Sequence, residues 1–399
     1  MTETEINLLA ESALQALGRD DPRKARELLM EAITAAPNRP DLVHALGVVQ
    51  LQLGEAHLGL PLIEQAIGMA GALASKGGAD KAKADEMFDG FELSLAAAHE
   101  DLDQPVEAEA AYRRILGRSP NQPRTQHQYA LLLLAWGRLD EGLAELDAYI
   151  KADADDPDAV RGLSALASEI RLWIARKLHP KNLLEAHRES YVEMFDGYLK
   201  GPAKGWVAEA AKMRRGPDGR PVVIVPEGAR PYAGVRVDLV NPETNQIGQV
   251  GDQPMVVQLA EFPALAQAPV QLRWEHEEFD LRVSTQCPWD QLPIHILFKD
   301  GPGGEGALDA ADEIIGAWYS AGFDGAFGTK DGNRLHDISY PQAVRGFLGV
   351  TYDVDMGRAE LRSIDDLVQR FSHLNARHPI ERVILGRGYL PVPKKPSAT

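Results

Sequence analysis

Along the first 150 residues, small and large apolar positions recur with a step of 34. Ala13, Ala25 and Ala32 return as Gly47, Gly59 and Ala66. The same step carries Ala96 to Ala130, Ala108 to Gly142 and Tyr112 to Leu146. An alanine or glycine near the middle of each helix lets two helices approach closely, while Leu29, Ile63, Tyr112 and Leu146 fill the space between neighbours. The pattern predicts helical hairpins stacked one on another. Between the second and third units the spacing lengthens from 34 to 49 residues, and Ser75-Lys76-Gly77-Gly78-Ala79-Asp80 lies in the insertion, which predicts a loop plus a lengthened helix.

Two further helices are predicted over Asp158 to Leu178 and Asn182 to Leu199, with His179-Pro180 as the break between them. The first carries Leu163, Leu166, Ile170 and Ile174 at helical spacing, as a helix covering the last apolar face of a stack would. Gly201-Pro202 and Gly216-Pro217-Asp218-Gly219 then mark a change of period. From Pro221 onward the runs are short and rich in β-branched residues: Val222 to Val225, Val235 to Val240, Met255 to Leu259, Val270 to Trp274 and Phe279 to Ser284. This β-rich segment reads either as a small domain or as an edge extension of the C-terminal domain.

The last 110 residues show a plainer order. Strands are predicted at Ile294 to Phe298, Arg334 to Ser339, Phe347 to Val354 and Ile380 to Leu385, with helices at Ala307 to Ala321 and Ile364 to Leu374. That order, β-α-β-β-α-β, is the ferredoxin-like pattern with two helices on one face of an antiparallel sheet. Leu308, Ile314, Ile315 and Trp318 are the expected core of the first helix; Ile364, Leu367, Val368 and Phe371 that of the second. The divisions are therefore residues 1–200 for a helical solenoid with capping helices, 201–220 for a linker, 221–290 for the β-rich segment, 291–390 for a ferredoxin-like α+β domain and 391–399 for a flexible tail.

The recurring small residues, with Pro37 and Pro120 as closing prolines, resemble the tetratricopeptide repeat (TPR). The resemblance covers roughly residues 5 to 156 as four repeats and is strongest from Gln126 to Ile150. It implies an α superhelical solenoid, here followed by an α+β region. Tyr191-Val192-Glu193-Met194-Phe195-Asp196-Gly197-Tyr198 resembles the lead-in found where such repeats are fused to methyltransferases. No strand with an acidic, glycine-rich turn comes after it, and that activity is not carried over.

Composition narrows the classes. A chain of 399 residues that is 44% hydrophobic is long enough for two or three domains with real cores. No apolar run of about 18 residues is present to span a bilayer, and two glutamates lie in the first seven residues where a signal peptide would be basic. The lone Cys287 excludes an internal disulfide and a multi-cysteine zinc site. A cytoplasmic protein is expected. Residues 1 to 200 hold 33 acidic and 21 basic side chains, and the one tight basic cluster is Lys212, Arg214 and Arg215, so nucleic acid is not the expected partner.

Three constellations suggest chemistry, and each has a plainer reading. Gly301-Pro302-Gly303-Gly304-Glu305-Gly306 has the G-x-G-x-x-G form between a strand and a helix, but Asp300 and Glu305 put negative charge where a pyrophosphate would sit and Pro302 removes an amide donor. His276 and Glu278, with His336 or His373, have the residue types of a two-histidine, one-carboxylate metal triad, and equally those of a polar sheet face. Cys287 with His295 has the residue types of a nucleophile and base, yet a lone cysteine beside Pro288 reads as a small buried hydrophobe. No cofactor or metal is assigned.

The face of the repeats is the stronger candidate. The resemblance implies that the first helix of each hairpin lines the concave side at its second, fifth, ninth and twelfth positions. That set is Asp41, His44, Val48 and Leu51 in the second repeat and Arg124, His127, Leu131 and Leu134 in the fourth. Polar at one end and apolar along the rest, it suits a peptide with apolar anchors. The lysine and asparagine set with which some members clamp a C-terminal carboxylate is missing. Coverage of the groove by the chain's own second half is the competing expectation. The resulting reading is a protein–protein interaction scaffold whose C-terminal region binds a second partner or self-associates as a homo-oligomer. An enzyme with its site in the C-terminal region, recruiting substrate through the repeats, is the alternative.

Overall fold

The computed structural model describes the chain apart from residues 76–77, 121, 152–156, 300–303, 305, 329–334, 345–346 and 391–399; between 202 and 260 it describes residue 204 and five short strands. It divides into two compact units, Met1–Val160 and Arg161–Thr399.

The first unit is a run of antiparallel helices: α1 Glu3–Gly18, α2 Pro22–Ala35, α3 Pro40–Gln52, α4 Ala56–Ala74, α5 Gly78–Asp101, α6 Pro105–Arg118, α7 Pro123–Ala135 and α8 Leu139–Lys151. Punctuation comes from local chemistry. Pro22, Pro40, Pro105 and Pro123 open helices where a missing N–H costs nothing. Each hairpin turn passes through one left-handed residue at the same repeat position: Asp20, Gly54, Asp103 and Gly137, with φ between 59° and 75°. The amide after it closes back on the helix, as in Glu55 N to Gln50 O and Arg138 N to Leu133 O, both 2.8 Å.

The small residues sit where paired helices touch. A Cβ on Gly59 would lie 2.8 Å from the Gly47 carbonyl, and one on Gly142 would lie 2.8 Å from Leu134 Cδ2 and 3.2 Å from the Ala130 carbonyl. Ala25, Ala32, Ala66, Ala96, Ala108 and Ala130 are fully buried, and Leu29, Ile63, Tyr112 and Leu146 fill the spaces beside them. The insertion differs from its expected form. It lengthens both helices of its pair, α4 to 19 residues and α5 to 24, and Gly78 to Asp80 are helical. The added turns supply their own apolar contacts, with Ala70, Leu73, Met87 and Phe88 joining Val43, Ala66 and Phe91. Carboxylates then tie the third repeat together. Glu92 on α5 accepts from Arg114 at 2.9 Å and Arg118 at 2.6 Å, and Asp89 accepts from Ser119 at 3.0 Å and Gln122 at 2.7 Å, just before α7.

Helices α9 Pro157–Ala175 and α10 Lys181–Lys200 turn through Lys177 at φ 50°. Their described partners lie in the second unit, which contains α9 from Arg161 onward, whereas the sequence reading ended the helical domain at residue 200. On α9, Leu163, Leu166 and Ile170 are buried as expected, but Ile174 is 49% exposed and Trp173 is the inward residue, edge-on to Phe262 at 5.3 Å. Glu169 accepts from the Leu265 amide of the short α11 Pro263–Gln267 at 2.8 Å.

Five short strands precede α11: β1 Val207–Ala208, β2 Lys212–Arg215, β3 Pro221–Ile224, β4 Leu239–Val240 and β5 Ile247–Gly248. Among them β2 pairs with β3, and β4 lies between β1 and β5. The strand expected at Met255 to Leu259 lies outside the described residues. The main sheet has seven strands: β6 Gln271–Trp274, β7 Asp280–Ser284, β8 Leu292–Phe298, β9 Asp337–Ile338, β10 Gln342–Ala343, β11 Gly349–Asp355 and β12 Ile380–Leu385. Strand β8 is central, antiparallel to β12 on one side and β11 on the other, with β9 and β10 beyond β11. With α12 Ala307–Phe323 and α13 Arg362–Asn375 as the crossovers, this is the ferredoxin-like arrangement expected. The β6–β7 hairpin continues the same sheet, β7 running parallel to β12, so this part of the β-rich segment is an edge extension. Helix α13 buries the four residues expected of it. Helix α12 is turned slightly: Ala307, Ala311, Ile315, Trp318 and Gly322 face in, and Leu308 is 37% exposed. Its rotation is set by Trp318, whose Nε1 donates to the Ser363 carbonyl of α13 at 2.9 Å.

The Gly47–Gly59 contact yields a paired test within one helix. Gly59→Ala is expected to cost about 1–3 kcal/mol by forcing α3 and α4 apart. Gly68→Ala, also in α4 with nothing within 4 Å of its Cβ position, is expected to stabilise by up to about 1 kcal/mol. Urea unfolding of both variants checks the sign of each effect.

Candidate functional site

The first helices of the repeats are α1, α3, α5 and α7. Helices α3 and α5 lie side by side: His44 stacks on Phe91 with ring centroids 4.2 Å apart, and its Nε2 is 2.9 Å from Ser94 Oγ. His44 is therefore a joint between the second and third repeats. Burial lowers its pKa to about 4. Asp41 is tied to Arg39, whose Nε donates at 2.8 Å and whose Nη1 also reaches Asn7 at 2.9 Å. Arg124 is exposed at the start of α7, and His127 is half-buried with its ring 5.8 Å from that of Tyr149.

The twelfth positions are packing residues. Leu134 is fully buried against Gly142, and Leu51 lies where a Cβ on Gly59 would touch it at 2.9 Å and packs with the Ile63, Leu95 and Ala98 cluster. Leu134 corrects the expected lining, whereas Leu51 is half-buried, as Val48 and Leu131 are. A side chain at this position covers the glycine or alanine of its own second helix, and the close helix approach draws it inward.

The ninth positions behave differently. Val48 and Leu131 are half-buried, and the same register in the other two repeats gives Leu14, 63% exposed, and Ala97, exposed. Leu14 and Ala97 were not among the expected site residues. The signal was present, because each follows the small residue of its repeat, Ala13 or Ala96, by one position. The four residues form an apolar row, one per repeat, on the helices that line the concave side in this architecture.

The residues of the second-unit constellations are placed as follows. His276 Nδ1 accepts from the Glu278 amide at 3.3 Å, its Nε2 is 3.4 Å from Ser372 Oγ, and its ring lies 4.2 Å from Phe279. His336 is buried 3.5 Å from Asp355, and His373 is exposed on α13. Among the described residues no group of three histidine, cysteine, aspartate or glutamate side chains is placed to hold a metal ion. Cys287 is fully buried, which pushes its thiol pKa up. His295, also buried, is lowered to about 4 and sits 2.8 Å from Thr351 Oγ1. Of the Gly301–Gly306 loop only Gly304 and Gly306 are described; Gly306 precedes α12 at φ 74°. Tyr191 and Phe195 are core residues of α10, with Arg358 over the Phe195 ring at 5.5 Å.

A tetratricopeptide-repeat family profile matches residues 101–167, which contain α6, α7 and α8. Curated protein sequences give no match. Among solved structures, MamA from Desulfovibrio magneticus RS-1 aligns at 14% identity over 40% of this chain and 81% of that one, with a TM-score of 0.32. YrrB, described as a TPR protein with an unusual peptide-binding site, aligns at 15% identity over 42% of this chain and 76% of that one, TM-score 0.31. A thermophilic TPR protein from Thermus thermophilus aligns at 18% identity over 40% of this chain and 97% of that one, TM-score 0.26. These alignments are partial. The repeat assignment stands on the profile match and on the helix contacts above.

His44 makes the joint between repeats pH-dependent. Its folded pKa lies below its unfolded value of 6.5, so the unfolded chain takes up the proton first as pH falls. The joint is expected to be at full strength above about pH 6.5 and to weaken progressively toward pH 4, where the folded form also protonates. In His44→Phe, which keeps the ring against Phe91, the fall in unfolding midpoint between pH 7 and 5 is expected to be smaller than in the parent; an equal fall removes His44 as a cause.

Proposed function

From an N-terminal region that is a tetratricopeptide-repeat solenoid, we propose that this protein is an interaction scaffold that binds a protein or peptide on the face formed by its first helices. The observation that carries the reading is the row Leu14, Val48, Ala97 and Leu131, apolar in all four repeats, with Leu14 and Ala97 exposed and Val48 and Leu131 half-buried. An exposed leucine costs nothing by itself; four apolar residues in one register are the pattern of a surface that is covered in use. Arg124, at the open start of α7, supplies a polar contact at one end. The acidic balance of the chain, −17 overall, favours protein over nucleic acid as partner.

The C-terminal α+β unit serves in this reading as a second binding or self-association module. The cytoplasm is the proposed setting; no helix among the described residues is long and apolar enough to cross a membrane.

Affinity capture from cell extract by the full-length protein, read by mass spectrometry, tests the reading against the Leu14→Gln, Leu131→Gln double variant. Each apolar side chain removed from a contact is worth about 1.5–3 kcal/mol, so partner recovery is expected to fall at least about tenfold at unchanged helical signal. Equal recovery by the variant would place the binding surface elsewhere.

A further inference from the structure

The ligand of this face has a chemistry that the repeats themselves specify; the inference rests on the reading of the first-helix face as the binding surface. Helices packed side by side, as α3 and α5 are, have axes about 8–10 Å apart, and a ninth-position row repeated at that step sets the spacing its ligand must match. A β-strand returns a side chain to the same face every 6.6–6.8 Å or so and falls out of step. A polyproline helix, at about 9.3 Å per turn, and an α-helix, at about 10.5 Å per seven residues, both keep pace.

Backbone chemistry separates these two. A polyproline segment has no internal hydrogen bonds, so the side of its backbone laid on the row needs donors and acceptors from the protein. At the starts of the first helices, Arg39 engages Asp41 and the Asn7 side-chain oxygen, and Gly90 has no side chain, so donors at the four positions come only from the Asn7 side-chain NH2 and Arg124 at the two ends of the row. An α-helix satisfies its own backbone and needs only the apolar row.

Charge sets the other face of that helix. Residues 1–160 hold 28 acidic and 14 basic side chains. On the first helices, counting α5 from Met87, there are eight carboxylates and one cation, Arg124; within the chain Asp89 and Glu92 are tied to arginines of α6, Asp41 to Arg39, and Glu100 accepts from Tyr112. The third repeat presents only Gly90 and Ala97 at its second and ninth positions, where the row has room for bulk. We propose that the first-helix face binds a basic amphipathic α-helix of about 20 residues, apolar at seven-residue spacing, with its largest apolar side chain opposite the third repeat.

The test is fluorescence anisotropy of the full-length protein with three labelled 20-residue peptides. One is a lysine-rich amphipathic helix with leucines at heptad spacing and one tryptophan among them; the second has glutamate for lysine; the third is the basic peptide with a central proline. The basic helix is expected to bind at least tenfold more tightly than the acidic one, to weaken in high salt, and to lose at least fivefold with proline. Leu14→Gln, a change at an exposed position, is expected to weaken it at least threefold. Equal binding of the acidic peptide overturns the charge assignment, equal binding of the proline peptide overturns the helical form, and no effect of Leu14→Gln shows that the peptide sits elsewhere. If the basic helix fails while partner capture still depends on Leu14 and Leu131, this inference alone falls; if capture is also indifferent to them, the binding face itself is misassigned.

Discussion

The distance between paired helices is the constraint on which the first unit depends. Where Gly59 faces the Gly47 carbonyl there is no space for a methyl group, and Gly142 beneath Leu134 repeats the arrangement two repeats later. Close approach brings backbones within van der Waals range and lets one large residue per repeat, Leu29, Ile63, Tyr112 or Leu146, close the gap to the next hairpin. It also decides which side chains remain outside. A residue one turn beyond the small position is drawn into the hairpin, as Leu134 is, whereas the residue directly after it is left on the surface, as Leu14 is.

Polar ties add specificity where packing alone is permissive. Asp89 and Glu92 hold α5, α6 and the approach to α7 in one register, and Glu92 is itself buried, so losing its arginines would leave a carboxylate without partners in a closed site. In the second unit the same logic anchors α10 to the sheet and its loops. His187 reaches the Thr285 carbonyl at 2.8 Å, Arg188 the Ala359 carbonyl at 2.8 Å, and Arg358 returns to Asp196 at 3.0 Å. These long-range contacts make α10 part of the α+β unit rather than an appendage to it.

The candidate site was partly legible in the chain. The register that identified Val48 and Leu131 also contains Leu14 and Ala97, so the row was present as a pattern before any coordinates. Which register position stays accessible was not legible, because position twelve and position nine are both leucine or valine in the second and fourth repeats and differ only in what they meet. His44 shows the same limit: a histidine at a lining position became a stacked joint because α5 supplies Phe91 and Ser94, 47 and 50 residues away in sequence.

The sequence by itself determined the helical repeats, their hairpin turns and the β-α-β-β-α-β order, since each follows from local periodicity, proline and glycine placement and spacing along the chain. Tertiary structure alone decided that the insertion extends both α4 and α5, that β6 and β7 join the main sheet, that α12 leaves Leu308 outside while Ala307, Ala311 and Gly322 join Trp318 inward, and that Trp173 rather than Ile174 anchors α9. Each of those outcomes depends on a partner far away in sequence, and burial is settled by whichever surface arrives opposite a residue, which no local pattern encodes.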